Sequence, residues 1–254
     1  MIHNMKLCEK PFNAMKIGYK SIELRLFDEK RQKLQIGDSI EFSMIENENR
    51  KLVKKISAIH HFKDFNELFS SLPLLKCGET PFTFRDARAE NMEKFYSKEK
   101  QQKYSVIGIE FEEIPLQRFI AGHSGGIPLC SGYETALDEI RAGFKSSHWI
   151  WYIFPQLKGL TSDTVTEYYA LDGRKEAEEF LNHEILGKRL TEISSALLGL
   201  ENSDPVSVFG LVDAYKIRSC MTLFSEISDN DVFDRVLEKF CMGTKDEKTL
   251  EILR

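Results

Sequence analysis

The chain has 254 residues, 42% of them hydrophobic and 30% charged, with a formal net charge of −5, which suits one large domain or two small ones with ordinary cores. Its longest apolar run, Trp-Ile-Trp-Tyr-Ile-Phe at 149–154, falls far short of the roughly 18 residues a membrane-spanning helix needs. Charge is unevenly spread. Residues 1–114 carry 20 Lys and Arg against 18 Asp and Glu, and the remainder 15 against 22, so contact with a polyanion is expected only in the first half.

The start of the chain lacks an apolar h-region and a small-residue cleavage site, which argues against secretion. Five cysteines (Cys8, Cys77, Cys130, Cys220, Cys241) are scattered and never spaced Cys-x-x-Cys. The expectation is a reduced, cytoplasmic protein with no structural zinc.

In chain order, a short strand is predicted over Met5 to Cys8, then a brief helix with Pro11 as its first residue, ended by Gly18. Residues 21–27 alternate: Ile22, Leu24 and Leu26 on one face, Ser21, Glu23 and Arg25 on the other. That period of 2 predicts a strand with a polar face, whose plainest form is a solvated surface bearing an ion pair. A strand through Ile40, Phe42 and Met44, a polar hairpin loop at 46–50 and a longer strand at 52–62 follow. Asp64 caps a short helix, a second helix is expected over 84–96, and a closing strand over 104–111. The implied fold is α+β: a small β-barrel with short helices over 1–114.

Beyond Pro115 the period becomes helical. Helices are expected from Tyr133 to Ile140 with Gly143 as a stop, from Asp163 to Tyr169, and over 174–181, 185–200, 212–227, 232–241 and 245–253. Asp204-Pro205 reads as a cap followed by a first-turn proline. The second domain, 115–254, is therefore predicted to be all-helical.

The string Gly18-x-Lys20-x-x-Glu23-x-Arg25, in its turn-then-strand setting, resembles the ASCH domain of the PUA-like superfamily, and so does the segment Asp86-Ala87-Arg88-Ala89-Glu90-Asn91-Met92. The resemblance implies a small barrel that binds RNA or modified nucleosides in a cleft. Lys20 and Arg25 suit a phosphate or carbonyl edge, Glu23 suits a base amino group, and Tyr19 could stack on an unpaired base or simply cover the barrel end. Lys51, Lys54 and Lys55 could extend a phosphate track or form a solvated strand surface. One branch of the family looks like an amidohydrolase acting on N4-acetylcytidine. It has a lysine matching Lys20, a glutamate matching Glu90 and a threonine where this chain has Glu23. A carboxylate cannot replace a threonine nucleophile, but with Lys20 and Glu90 it could act as a general base on water.

In the second half, 133–143, 147–157 and 214–224 together resemble an uncharacterised bacterial calpastatin-like family, catalogued as a domain of unknown function (DUF1810). Its aromatic cluster reads first as core. His148, Gln156, Lys216, Arg218, Ser219 and Thr222 are unusual companions for such a core. If His148 and Arg218 met, they would form an aromatic-walled anion pocket for a nucleotide or phosphorylated ligand. An exposed aromatic patch at Trp149 and Trp151 would instead suit a protein partner. His60 and His61, adjacent in a strand, point to opposite faces and make a poor metal pair. Gly125-Gly126 lacks the lysine and spacing of a phosphate-binding loop. No metal and no cofactor are expected.

Overall fold

The chain is an α+β protein, and its computed structural model describes residues 1–254. It divides into two compact units, Met1–Gln117 and Arg118–Arg254.

The first unit is built from β1 (Ile2–Leu7), α1 (Glu9–Ile17), β2 (Ile22–Leu26), β3 (Ser39–Met44), β4 (Lys51–Phe62), α2 (Phe65–Ser71), α3 (Lys98–Tyr104) and β5 (Val106–Phe111). The strands form one curled sheet in the order β1-β3-β4-β5-β2, so β1 and β2 are its edges. The β1–β3 pair is parallel and the others antiparallel. The parallel pair becomes possible because α1 carries the chain away from β1 before β3 returns beside it.

Local chemistry explains the joints. Gly18 closes α1 with φ at 92°, a left-handed conformation that its missing Cβ permits, and its N–H bonds the Ala14 carbonyl. The Asp64 carboxylate accepts from the Asn66 and Glu67 amides and starts α2. Two hydrophobic clusters lie on opposite sides of the sheet. The larger joins Met5, Phe12, Met15, Ile40, Phe42, Ile107, Ile109 and Phe111; the smaller joins Leu26, Phe65, Leu68 and Val106.

The helix expected over 84–96 does not form. Turns run through this segment, and a 3₁₀ turn covers Ala89–Met92 alone. Ala89, Met92 and Tyr96 touch the smaller core, whereas most of the segment is exposed, so little packing supports a longer helix. The Arg88 guanidinium also binds the Arg85 and Ala87 carbonyls, diverting groups that a helical ladder would use.

The second unit is helical: α4 (Gln117–His123), α5 (Tyr133–Arg141), α6 (Ile150–Ile153), α7 (Thr164–Tyr169), α8 (Gly173–Asn182), α9 (Leu186–Leu198), α10 (Pro205–Phe209), α11 (Leu211–Ser225), α12 (Val232–Cys241) and α13 (Glu247–Leu253). Side chains of Asp163, Asp204 and Asp246 cap α7, α10 and α13. Every residue of α11 from Ser219 to Phe224 is buried, as is Ile217. This helix packs against α8, α10, α12 and α13, as a central helix must. No helix is long and apolar enough to cross a membrane.

Candidate functional site

The alternation read along β2 is present, but its polar face does not meet solvent. Glu23 pairs with Ile109 and Arg25 with Ile107 across the β2–β5 ladder. Directly opposed residues share a face, so the two charges stand beside the larger hydrophobic cluster, while Leu26 packs into the smaller one. Glu23 and Lys20 are each 6% exposed.

Burial on this scale demands partners. Lys20 Nζ donates to the Ile22 carbonyl at 2.7 Å and the Cys77 carbonyl at 2.6 Å, and lies 3.3 Å from Glu23 Oε2. Two backbone carbonyls thus take hydrogen bonds from the ammonium, and Glu23 stands at ion-pair distance. The Cys77 carbonyl is presented there because the Ser21 and Ile22 amides both bond the neighbouring Lys76 carbonyl at 2.9 Å. Gly78, at φ 99°, passes beside the lysine stem, where a Cβ would come within 3.1 Å of Lys20 Cδ.

On the other side of Glu23, Arg25 Nε stands 2.9 Å from Oε1. This is ion-pair distance, although the N–H is not aligned for a hydrogen bond. Arg25 also donates to the Lys6 carbonyl at 2.9 Å and meets the Tyr96 hydroxyl at 3.4 Å. Burial opposes the guanidinium's charge, but Glu23 and Tyr96 outweigh it, so the Arg25 pKa is raised. Glu23 is thereby a fixed acceptor clamped between two cations.

The other residues expected in this cleft are placed differently. Glu90 is exposed on the 3₁₀ turn Ala89–Met92. Tyr19 is 5% exposed, which leaves little of its ring open for stacking. Lys51 and Lys55 are engaged by Glu41 and Glu112, which cancels most of a phosphate track. His60 bonds Glu110, and His61 meets the Phe27 ring edge-on.

In the helical unit, Trp149 is fully buried and its Nε1 donates to Glu139 Oε2 at 2.8 Å. Glu139 also accepts from the Ser146 and Ser147 amides and the Ser146 hydroxyl. Partial burial pushes the Glu139 carboxyl up, but these donors outweigh it and hold the pKa at about 2. The expected aromatic patch is thus half core: Trp149 is enclosed, and Trp151 alone of the pair opens onto a cavity of about 670 Å³.

That cavity gathers Gln156, Lys216, Arg218 and Ser219, as their sequence company suggested, but His148 is not among its lining residues. His148 and Arg218 thus do not share this lining; the His148 carbonyl accepts from the Tyr152 hydroxyl. Thr222 is buried beneath, donating to the Arg218 carbonyl and accepting from the Asp246 amide. Tyr215 and Lys248 also belong to the lining. Neither was among the expected site residues, although Tyr215 lies in the 214–224 stretch that carries the family resemblance. The Lys6 and Cys77 carbonyls leave no side-chain signal, so no sequence pattern could have found them.

A family profile described as "Protein of unknown function (DUF1810)" matches residues 113–253, and one described as "ASCH domain" matches residues 5–115. Among solved structures, the conserved hypothetical protein Rv1873 from Mycobacterium tuberculosis is 34% identical, with 54% of this chain and 95% of that chain covered and a TM-score of 0.51. Protein PF0455 from Pyrococcus furiosus is 32% identical, with 44% of this chain and 96% of that chain covered and a TM-score of 0.36. No curated protein matches the chain.

Proposed function

For a chain that belongs to the DUF1810 family of unknown function and carries an ASCH domain ahead of that region, we propose that the barrel binds RNA or a modified nucleoside at the end of β2. The observation that carries this reading is the Glu23 carboxylate, buried and held between Lys20 and Arg25. A buried ion cluster of this kind seldom adds stability over an apolar core, and such clusters concentrate where ligands are recognised. In this scheme Glu23 accepts from the exocyclic amino group of a base. Arg25, whose contact with Tyr96 is long at 3.4 Å, turns a guanidinium edge to a carbonyl or phosphate oxygen. Lys20 acts through Glu23, since two backbone carbonyls already hold its ammonium.

The same hold on Lys20 favours recognition over hydrolysis. An amidohydrolase would need Lys20 to donate to a developing oxyanion, and the residue matching the family's glutamate, Glu90, lies exposed on another segment.

Binding of single-stranded RNA, structured RNA and free nucleosides by the wild type, Glu23→Gln and Arg25→Gln tests the proposal. Salt-dependent binding weakened about tenfold or more in Glu23→Gln is the expected result. Failure of the wild type to bind any of these would remove the proposal. Release of cytidine from N4-acetylcytidine by the wild type would replace it with catalysis.

A further inference from the structure

We infer that the helical unit holds a second, separate binding site, the cavity between α7, α11 and α13, and that it takes a nucleoside monophosphate. Its volume, about 670 Å³, lies in the range of small-molecule sites. The lining divides into an aromatic and apolar wall, a cationic side and one carboxamide.

The wall consists of Trp151, Tyr215, Leu160, Leu211 and Val212. Tyr215 is 57% exposed, and Leu211 and Val212 are more exposed still. These apolar surfaces are left uncovered on the first turns of a helix whose remaining length is core. A flat heteroaromatic ring would cover them, since stacking on tyrosine or tryptophan suits any base.

The cationic side is Lys216, Arg218 and Lys248. Lys216 sits 5.6 Å from the Trp151 ring centre and Arg218 5.5 Å from the Tyr215 ring centre, so both charges line the aromatic wall. Their protein partners neutralise them incompletely. Asp213 binds Lys216 at 3.0 Å but also Lys145 at 2.9 Å. Asp246 approaches Arg218 only to 3.7 Å, beyond hydrogen-bond length. Its Oδ2 is occupied by Ser219 and by the Thr249 amide and hydroxyl. Arg218 Nε is buried with no acceptor. The last lining carboxylate, Asp163, is turned to the Thr166 amide and hydroxyl at the start of α7. An under-paired guanidinium in one lining with two lysines is an arrangement a phosphate monoester satisfies.

Gln156 supplies the third element. It is 9% exposed and opens onto the cavity, while its backbone carbonyl is engaged by the Leu171 amide. A carboxamide offers both a donor and an acceptor, as the edge of a base requires. A simple anion would use the cations and leave the aromatic wall and Gln156 idle; a nucleoside alone would leave the cations idle.

The chain contains two tryptophans; one is enclosed and the other, Trp151, lines the cavity, so intrinsic fluorescence of the full-length protein reads the site directly. AMP, GMP, CMP and UMP would be titrated alongside adenosine and inorganic phosphate. Saturable quenching by at least one nucleotide, tighter than by adenosine or phosphate, is the expected outcome. Trp151→Phe should abolish the signal. Arg218→Gln and Tyr215→Ala should each weaken binding about tenfold with unchanged melting temperature. Glu23→Gln, which lies in the other unit, should bind nucleotide like the wild type. The inference is overturned if no nucleotide gives a saturable response at roughly 10 mM, or if phosphate binds as tightly as every nucleotide. It also fails if Glu23→Gln abolishes the response while Arg218→Gln leaves it intact, because the ligand would then belong to the barrel.

Discussion

Arg25 in β2 donates to the backbone carbonyl of Lys6 in β1 at 2.9 Å, so the two edge strands of the five-stranded sheet are joined by a side chain. Between those edges lie β3, β4 and β5, and a flat sheet of five strands would hold its edges roughly 19 Å apart. The bond therefore belongs to a sheet already curled, and it closes an opening that backbone pairing leaves. The same guanidinium pairs with Glu23, which couples barrel closure to the candidate site.

Removing Arg25 should therefore cost more than an exposed ion pair. Arg25→Ala leaves a buried carboxylate short of one of its two cations and is expected to destabilise the protein by about 3 kcal/mol in urea unfolding. Arg25→Lys retains charge but cannot serve Glu23, Lys6 and Tyr96 together, and should fall between. A loss within 0.5 kcal/mol for Arg25→Ala would show that the edges are held elsewhere.

Glu139 ties the α5 surface to the segment that leads into Trp149. Its folded pKa of about 2 lies below the ordinary carboxylate value, so the native state favours the charged form. That contribution is complete above about pH 5 and is lost as pH falls through 4 toward 2. Glu139→Gln should lower stability by about 2 kcal/mol at pH 7, through weakened bonds to the Ser146 and Ser147 amides and the Trp149 indole. Acid titration between pH 5 and 3 checks the linkage: the variant's curve should be flatter than the wild type's. Parallel curves would assign the acid sensitivity to other carboxylates.

His123 works in a higher pH window. Its ring is buried against Tyr133 and its Nε2 must carry the proton, since its partner at 2.9 Å is the Tyr152 carbonyl. Nδ1 is left without a partner. Burial pushes the imidazole down to about 4, with Arg189 and His183 opposing its charge further. The unfolded chain takes up a proton near pH 6.5 and the folded chain does not, so stability falls as pH drops from 6.5 towards 4. The expected loss from this group is about 2 kcal/mol between pH 7 and 5. His123→Gln should flatten that slope, whatever its effect on baseline stability. An unchanged slope would mean that the ring is protonated at an ordinary pH in the folded state.

Much of the local architecture was legible in the residues. Glycine and aspartate mark element ends through their own backbone chemistry, as at Gly18 and at the capping residues Asp64, Asp163 and Asp204. The exception, 84–96, had adequate helix formers but lacked a buried face to reward them, which is a property of its neighbours. The same limit explains the cavity residues. Gln156, Lys216 and Arg218 were visible as polar groups beside aromatics, but whether His148 or Lys248 joined them depended on helix orientation.

An alternating strand with Glu23 and Arg25 on one face, a change from period 2 to helical period near residue 115, and the caps that start and stop most elements are all written in the order of residues. These are set by the chain's own dihedral preferences and side-chain spacing. What each face meets was settled by packing between distant segments. Alternation cannot distinguish a polar face in water from one turned toward a core. The pairing of β2 with β5 sets Glu23 beside Ile109, and the loop through Cys77 supplies Lys20 with its acceptors. Burial depends on which distant segments arrive to cover a strand, and periodicity along that strand carries no record of them.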